Sequence, residues 1–143
     1  MRVTVVTVIA APIERVWQAL TVTEEVCAWD GVSQLDVPDD YPQVGQHALW
    51  QSPFGPFHLT LHDQITVIEE GRRMAAVIEI AFVHVDEEYS LLAASEGGTI
   101  LLTVDTVRAL IPGMGWLALW LTRANVSSSM ARLKEYCERP AQA

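Results

Sequence analysis

Val8-Ile9-Ala10-Ala11-Pro12-Ile13-Glu14-Arg15-Val16-Trp17-Gln18-Ala19-Leu20 holds the turning point of the chain. Upstream, Arg2 to Ala10 is rich in Val, Thr and Ile, whose branched side chains suit a pleated strand. Pro12 stands where a helix begins, because its missing N–H would have no partner in a first turn. Beyond it, Ile13, Val16, Trp17 and Leu20 recur at spacings of three and four and share one helix face. A strand therefore leads directly into an amphipathic helix.

Working outward, Thr23 can cap a second short helix, with Glu24 and Glu25 favoured near its positive end. Trp29 closes that helix and Gly31 allows the turn. Val32 to Val37 reads as a short strand, Pro38-Asp39-Asp40-Tyr41-Pro42 as a loop, and Gly45 to Gln51 as a strand. Ser52-Pro53-Phe54-Gly55-Pro56 is a turn or a small aromatic lid flanked by Phe57. Phe57 to Ile68 alternates, and Glu70-Gly71 turns the chain back. Met74, Ala76, Ile78, Ile80 and Phe82 then share one strand face, and Glu79 on the other marks the first as the inner one. Asp86 to Ser95 and Thr99 to Ala109 form a hairpin around Glu96-Gly97-Gly98. Pro112 to Glu138 is a long helix stopped by Pro140. Consecutive strands with short connections pair antiparallel, so the pattern is α+β. No repeat or linker divides residues 1–143, which read as one domain.

The exit into Ala11-Pro12, the Trp29-Asp30-Gly31-Val32 corner, Gly45, Gly71-Arg72-Arg73, Gly97-Gly98-Thr99 and the tail Leu133-Lys134-Glu135-Tyr136 carry a likeness. Over nearly its whole length the chain resembles the START-like, or SRPBCC, superfamily of polyketide cyclase/dehydrase-like and lipid-transport proteins. The resemblance implies a helix-grip fold: a curved antiparallel sheet of about six to seven strands wrapped around the C-terminal helix, with two short helices after the first strand. It also implies an apolar pocket between sheet and helix. Relatives of this kind include cyclases, dehydratases, lipid carriers, hormone receptors and chaperone activators, so the fold assigns no activity.

Composition narrows the partners. Half of the 143 residues are hydrophobic, a surplus that points to a pocket, an oligomer face such as a homodimer, or both. A net charge of −9 repels a phosphate backbone and an anionic membrane surface. The apolar run Gly113 to Leu121 falls far short of the roughly 20 residues that span a bilayer. Met1 to Ala11 faintly imitates a secretion signal, but Thr4 and Thr7 interrupt it and a helix follows at once. Cys27 and Cys137 lack framework or metal-ligand spacing, so they read as buried thiols of a cytoplasmic protein. No metal site, cofactor fingerprint or catalytic motif is present.

Four groups of residues could line a pocket. On the long helix, Trp116, Leu119, Arg123, Val126, Met130, Leu133 and Cys137 form a stripe that should face the sheet. Arg123 within it either snorkels at a pocket rim or anchors a carboxylate, that of a ligand or of Asp105. On the Thr99 strand periodicity leaves two choices of face. The resemblance puts Thr99, Leu101, Thr103 and Asp105 inside and leaves Ile100, Leu102 and Val104 as an outer apolar stripe. His58, Thr60 and His62 share a third face, which is either a pocket wall or a solvated stripe. A catalytic His62 would need a partner such as Asp105, Glu87 or Tyr89 within hydrogen-bond reach. Trp50, Tyr89 and Leu91, together with Met74, Ala76, Ile78, Ile80 and Phe82 of the inner strand face, complete the candidate ligand contacts. The expectation is binding or transport of a hydrophobic or amphipathic small molecule. The alternative is a cyclase/dehydratase-type enzyme acting through His62, Asp105 and Tyr89, and a weaker one is a protein-interaction module.

Overall fold

The computed structural model describes residues 1–140. Strand β1 (Arg2–Ile9) is followed by helices α1 (Ile13–Thr21) and α2 (Thr23–Asp30). Six strands come next: β2 (Ser33–Asp36), β3 (His47–Phe54), β4 (Phe57–Glu69), β5 (Arg73–Ile80), β6 (Val83–Ala93) and β7 (Thr99–Ala109). Helix α3 (Gly115–Glu138) is the last element among the described residues. The seven strands make one antiparallel sheet in the order β1-β7-β6-β5-β4-β3-β2. Five neighbouring pairs are sequence hairpins or short connections, and only β1 against β7 is a long-range closure. The fold is thus the expected α+β arrangement of a curved sheet, two short helices and one long helix.

Local chemistry sets the joints. Pro12 is extended and serves as the cap of α1, its carbonyl accepting from the N–H groups of Arg15 and Val16 at 3.0 and 3.1 Å. Thr23 does not cap α2: Val22 holds that position with extended backbone, and Thr23 is already helical. Gly31 ends α2 at φ 79°, a left-handed conformation that a side chain would oppose, and its N–H donates to the Cys27 carbonyl at 3.1 Å. Strand β3 runs on through Phe54, so the aromatic segment is the tip of a long hairpin rather than a separate loop.

One face of the sheet is covered. Thr99, Leu101, Thr103, Asp105 and Val107 are all buried, so β7 has the parity that the resemblance implied. The main core joins Ile9, Leu91 and Leu101 to Val16 and Leu20 of α1 and to Val126, Met130 and Leu133 of α3. Fully burying each of the larger aliphatic side chains contributes roughly 1.5–3 kcal/mol. A second cluster, Val3, Val83, Val85, Val107 and Ala118, lies under the first half of α3, with Ile78, Ile80, Phe82 and Leu119 packed against it.

The phase of α3 differs from the expected stripe in that half. Its buried residues are Ala118, Thr122, Val126, Ser129, Met130, Leu133 and Cys137. Trp116 is 69% exposed and Arg123 lies on the solvent side. The reason is close packing: small Ala118 and Thr122 let the helix approach the sheet, and large side chains at Trp116 and Trp120 turn out. Gly115 marks that closeness, since a Cβ there would meet the Met1 side chain at 2.9 Å. No helix among the described residues is long and apolar enough to cross a membrane.

Candidate functional site

A partly open cavity of about 100 Å³ lies between the inner face of β3 to β6 and the α2–β2 corner. Its walls are apolar. Helix side contributions are Leu20, Val26 and Trp29, and the sheet adds Leu61, Ile65, Met74 and Ile78. Ala76 also lines it, and its short side chain leaves space where a larger residue would pack. Five polar groups reach the same space: Asp30, Tyr41, Asp63, Glu87 and Tyr89.

Strand register explains how these groups meet. Alternation puts Leu61, Asp63 and Ile65 of β4 on the inner face. On β6, Glu87, Tyr89 and Leu91 share that face, and Glu87 stands opposite both Ala76 of β5 and Asp105 of β7. Directly opposed residues bring their Cβ atoms to about 4.5–5.5 Å, so Glu87 and Asp105 form a carboxyl pair. Asp105 is 2% exposed, and its Oδ1 is buried without a hydrogen-bond partner. Burial pushes the Asp105 carboxyl up to about 6, opposed by a hydrogen bond with Glu87. Burial first, then the Asp105 charge, holds Glu87 well above the usual carboxylate range. Tyr89 beside them is raised by the same burial and by Glu87.

A second polar group stands across the cavity. Asp63 Oδ2 accepts from Tyr41 Oη at 2.8 Å and from Trp50 Nε1 at 3.1 Å. The rings of Tyr41 and Trp50 meet edge to face at 5.6 Å, which fixes both donors. Burial raises Asp63, and the two donors oppose that rise. Its Oδ1 is buried with no partner. Asp30, at the end of α2, is already satisfied by Ser129 Oγ at 3.1 Å and by Arg132 at 3.3 Å.

Of the sequence candidates, Trp50, Met74, Ala76, Ile78 and Tyr89 line the cavity. Asp105 stands behind Glu87. Leu91, Leu101 and Val126 belong to the main core, and Ile80, Phe82 and Leu119 to the second cluster. His62 does not reach the cavity. It points to the outer face, where its ring stacks on His47 at 5.1 Å and the facing nitrogens are 2.9 Å apart. The solvated-stripe reading of His58, Thr60 and His62 therefore holds, because Leu61 and Asp63 take the inner positions. Arg123 is far from its expected role: it is exposed and in no ion pair among the described residues, so nothing joins it to Asp105. Trp116 likewise faces solvent.

Sequence reasoning missed Asp63, Tyr41, Trp29 and Asp30. Asp63 had a signal, since Leu61 and Ile65 in the core put it on the same face. Tyr41 had none, because it sits in a loop whose path only the fold decides. Cys27 and Cys137 are free thiols, and burial raises both.

No family model matches the chain, and no curated protein matches it. Solved structures do. A protein from Arthrobacter aurescens, solved by NMR, superposes with a TM-score of 0.80 at 14% identity, covering 98% of this chain and 87% of that one. A protein from Chromobacterium violaceum gives 0.78 at 16% identity, over 98% of this chain and 99% of that one. A protein of the dynemicin biosynthetic locus gives 0.70 at 23% identity, over 96% of this chain but 47% of that one. At these identities the likeness is one of fold.

Proposed function

We propose that this chain is a START-like cytoplasmic domain that binds or carries a small hydrophobic or amphipathic molecule in the cavity beneath α2. The observation that carries the reading is an apolar-walled space beside Ala76 with a few inward polar groups, the usual composition of a ligand site. Burial of an apolar body there supplies affinity, and the polar groups orient one end. At about 100 Å³ the cavity holds a head group or a small ring, so a longer ligand extends through the mouth. A thermal-shift screen of fatty acids, sterols, flavonoids, amines and aromatic polyketides tests it. A ligand at 100 times its Kd adds about 2.7 kcal/mol of stability. Ala76→Phe is expected to abolish the shift while leaving the protein folded. If no class shifts the melting curve and Ala76→Phe is strongly destabilising, the space is core and the reading fails.

The Glu87–Asp105 pair favours a second reading, an enzyme of the cyclase/dehydratase type. A carboxyl kept neutral near neutral pH donates a proton, and its neighbour accepts one. Glu87 here takes the part first expected of His62. For a carbonyl ligand found in the screen, Glu87-dependent exchange of its α-proton in deuterated water supports this reading. Exchange at the same rate in Glu87→Gln rejects it.

The proposal also includes a homodimer formed through the outer sheet face. There Val6, Val8 and Leu92 are exposed around Ile100 and Leu102, which are their register partners.

A further inference from the structure

Hydrogen-bond capacity around the cavity is unevenly used. Of the donors there, both indoles and Tyr41 are spent within the protein, and Tyr89 Oη stands beside Glu87. Trp29 Nε1 donates to the Ala19 carbonyl at 2.8 Å, and Trp50 Nε1 and Tyr41 Oη both donate to Asp63 Oδ2. The acceptors are not spent. Asp63 Oδ1 and Asp105 Oδ1 are buried with no partner, in residues 7% and 2% exposed. Glu87 lines the space and faces Asp105 across the β6–β7 ladder. Leaving a buried acceptor unpaired costs free energy, more so when it is charged. A ligand that supplies donors and positive charge recovers that cost, and one that supplies a carboxylate adds to it.

Charge points the same way. Facing the Glu87–Asp105 pair are Tyr89 of β6 and, two strands or about 10 Å away, Asp63 of β4 with Tyr41 on it. Asp30 of α2 faces the cavity from above, and Arg132 of α3 is paired with it. His62 lies beside Asp63 but on the outer face, stacked on His47. Strands β1 and β5 and the buried face of α3 present no charged group here: Val3, Ala76, Ile78, Thr122 and Val126 stand there. No lysine, arginine or histidine lines the cavity among the described residues. The space between the acids is open because Ala76, the register partner of Glu87, is small.

We propose that the cavity selects an organic cation, a small amine on an apolar body, with its ammonium group against Glu87, the Asp105 carboxyl standing behind it, and its body along Ala76, Met74 and Trp50. The inference rests on the cavity reading above and narrows it to one ligand class. Binding then draws the two acids into their ionised form and releases protons, so affinity rises with pH until both are ionised. The amine stays protonated over that range, as its ordinary value lies near about 10.

Three probes that share a phenethyl body and differ in head group test this: phenethylammonium, 2-phenylethanol and hydrocinnamate, titrated calorimetrically into the full chain. The ammonium is expected to bind at least about tenfold tighter than the alcohol, with the carboxylate undetected, a preference worth about 1.4 kcal/mol. Its affinity should rise by about tenfold from about pH 5 to about pH 8, with protons released. In the double variant Glu87→Gln, Asp105→Asn both the preference and the pH dependence should vanish while the alcohol still binds. Equal or tighter binding of alcohol or carboxylate overturns the inference and leaves the cavity reading standing. Ammonium binding that survives Ala76→Phe is attraction to the acidic surface and overturns it too. If none of the three probes binds, the cation assignment is wrong, and the wider thermal-shift screen decides the cavity reading separately.

Discussion

Asp105 and Glu87 stand opposite each other on β6 and β7 with no cation between them, and that arrangement has a cost that depends on pH. Asp105 titrates at about 6 in the fold against an ordinary value of 3.8. With the folded value raised, the unfolded chain loses its proton first. The Asp105 contribution is therefore fully present below about pH 4 and is lost as pH rises to about 6. The loss is on the order of 2–3 kcal/mol, and Glu87, held above its ordinary range by burial and by the Asp105 charge, adds a loss of the same sign. Asp105→Asn is expected to be more stable than the natural chain at about pH 7 and to differ little at about pH 4. Urea denaturation at several pH values measures this, and equal stability of the two at neutral pH would remove Asp105 from the pair. The residue scale is also where the sequence was least informative. Periodicity left the face of Asp105 open and only the family resemblance put it inside, while Glu87 entered only as a partner for His62. Tyr41 and Trp50 converge on Asp63 from a loop and a separate strand, which no spacing encodes.

Helix α3 shows how hydrophobic pattern and packing part company. Its second half obeyed the pattern, because Val126, Met130, Leu133 and Cys137 recur at three and four and are all buried. Its first half did not, because the buried positions there are Ala118 and Thr122, while Trp116 and Trp120 face solvent. A stripe read from side-chain size rotates away from the sheet when close approach selects small residues. The same rotation moved Arg123 out of the site. Leu133→Ala is accordingly expected to cost about 2–5 kcal/mol, as a fully buried leucine truncated in a packed core. Trp116→Ala and Arg123→Met should each stay within about 0.5 kcal/mol. A double-mutant cycle of Arg123→Met with Asp105→Asn is expected to give a coupling near zero. Chemical denaturation reads all four quantities, and a coupling above about 1 kcal/mol would return Arg123 to the cavity.

For the molecule as a whole, the order of elements and the antiparallel sheet were legible because strand periodicity, turn glycines and the Ala11-Pro12 joint agree with one another. What the pattern left open was the use of the hydrophobic surplus. Part of it lines the cavity, and part remains outside. Val6 and Val8 of β1, Leu92 of β6, and Ile100 and Leu102 between them form a contiguous apolar area on the uncovered sheet face. Edge pairing through β1 is obstructed, since Lys134 Nζ donates to the Val8 carbonyl at 2.6 Å and the Ala10 N–H donates to Glu138 Oε2 at 2.7 Å. A second copy would therefore pack face to face on this patch rather than extend the sheet. Light scattering at micromolar concentration is expected to give twice the mass of one chain. Val8→Lys with Leu92→Glu should return it to a single chain without lowering its melting temperature, since both side chains are exposed. If the natural chain scatters as a monomer at every concentration, the outer patch has another occupant. If the variant remains a dimer, the contact lies elsewhere, with Trp116 and Trp120 as the other large exposed apolar pair.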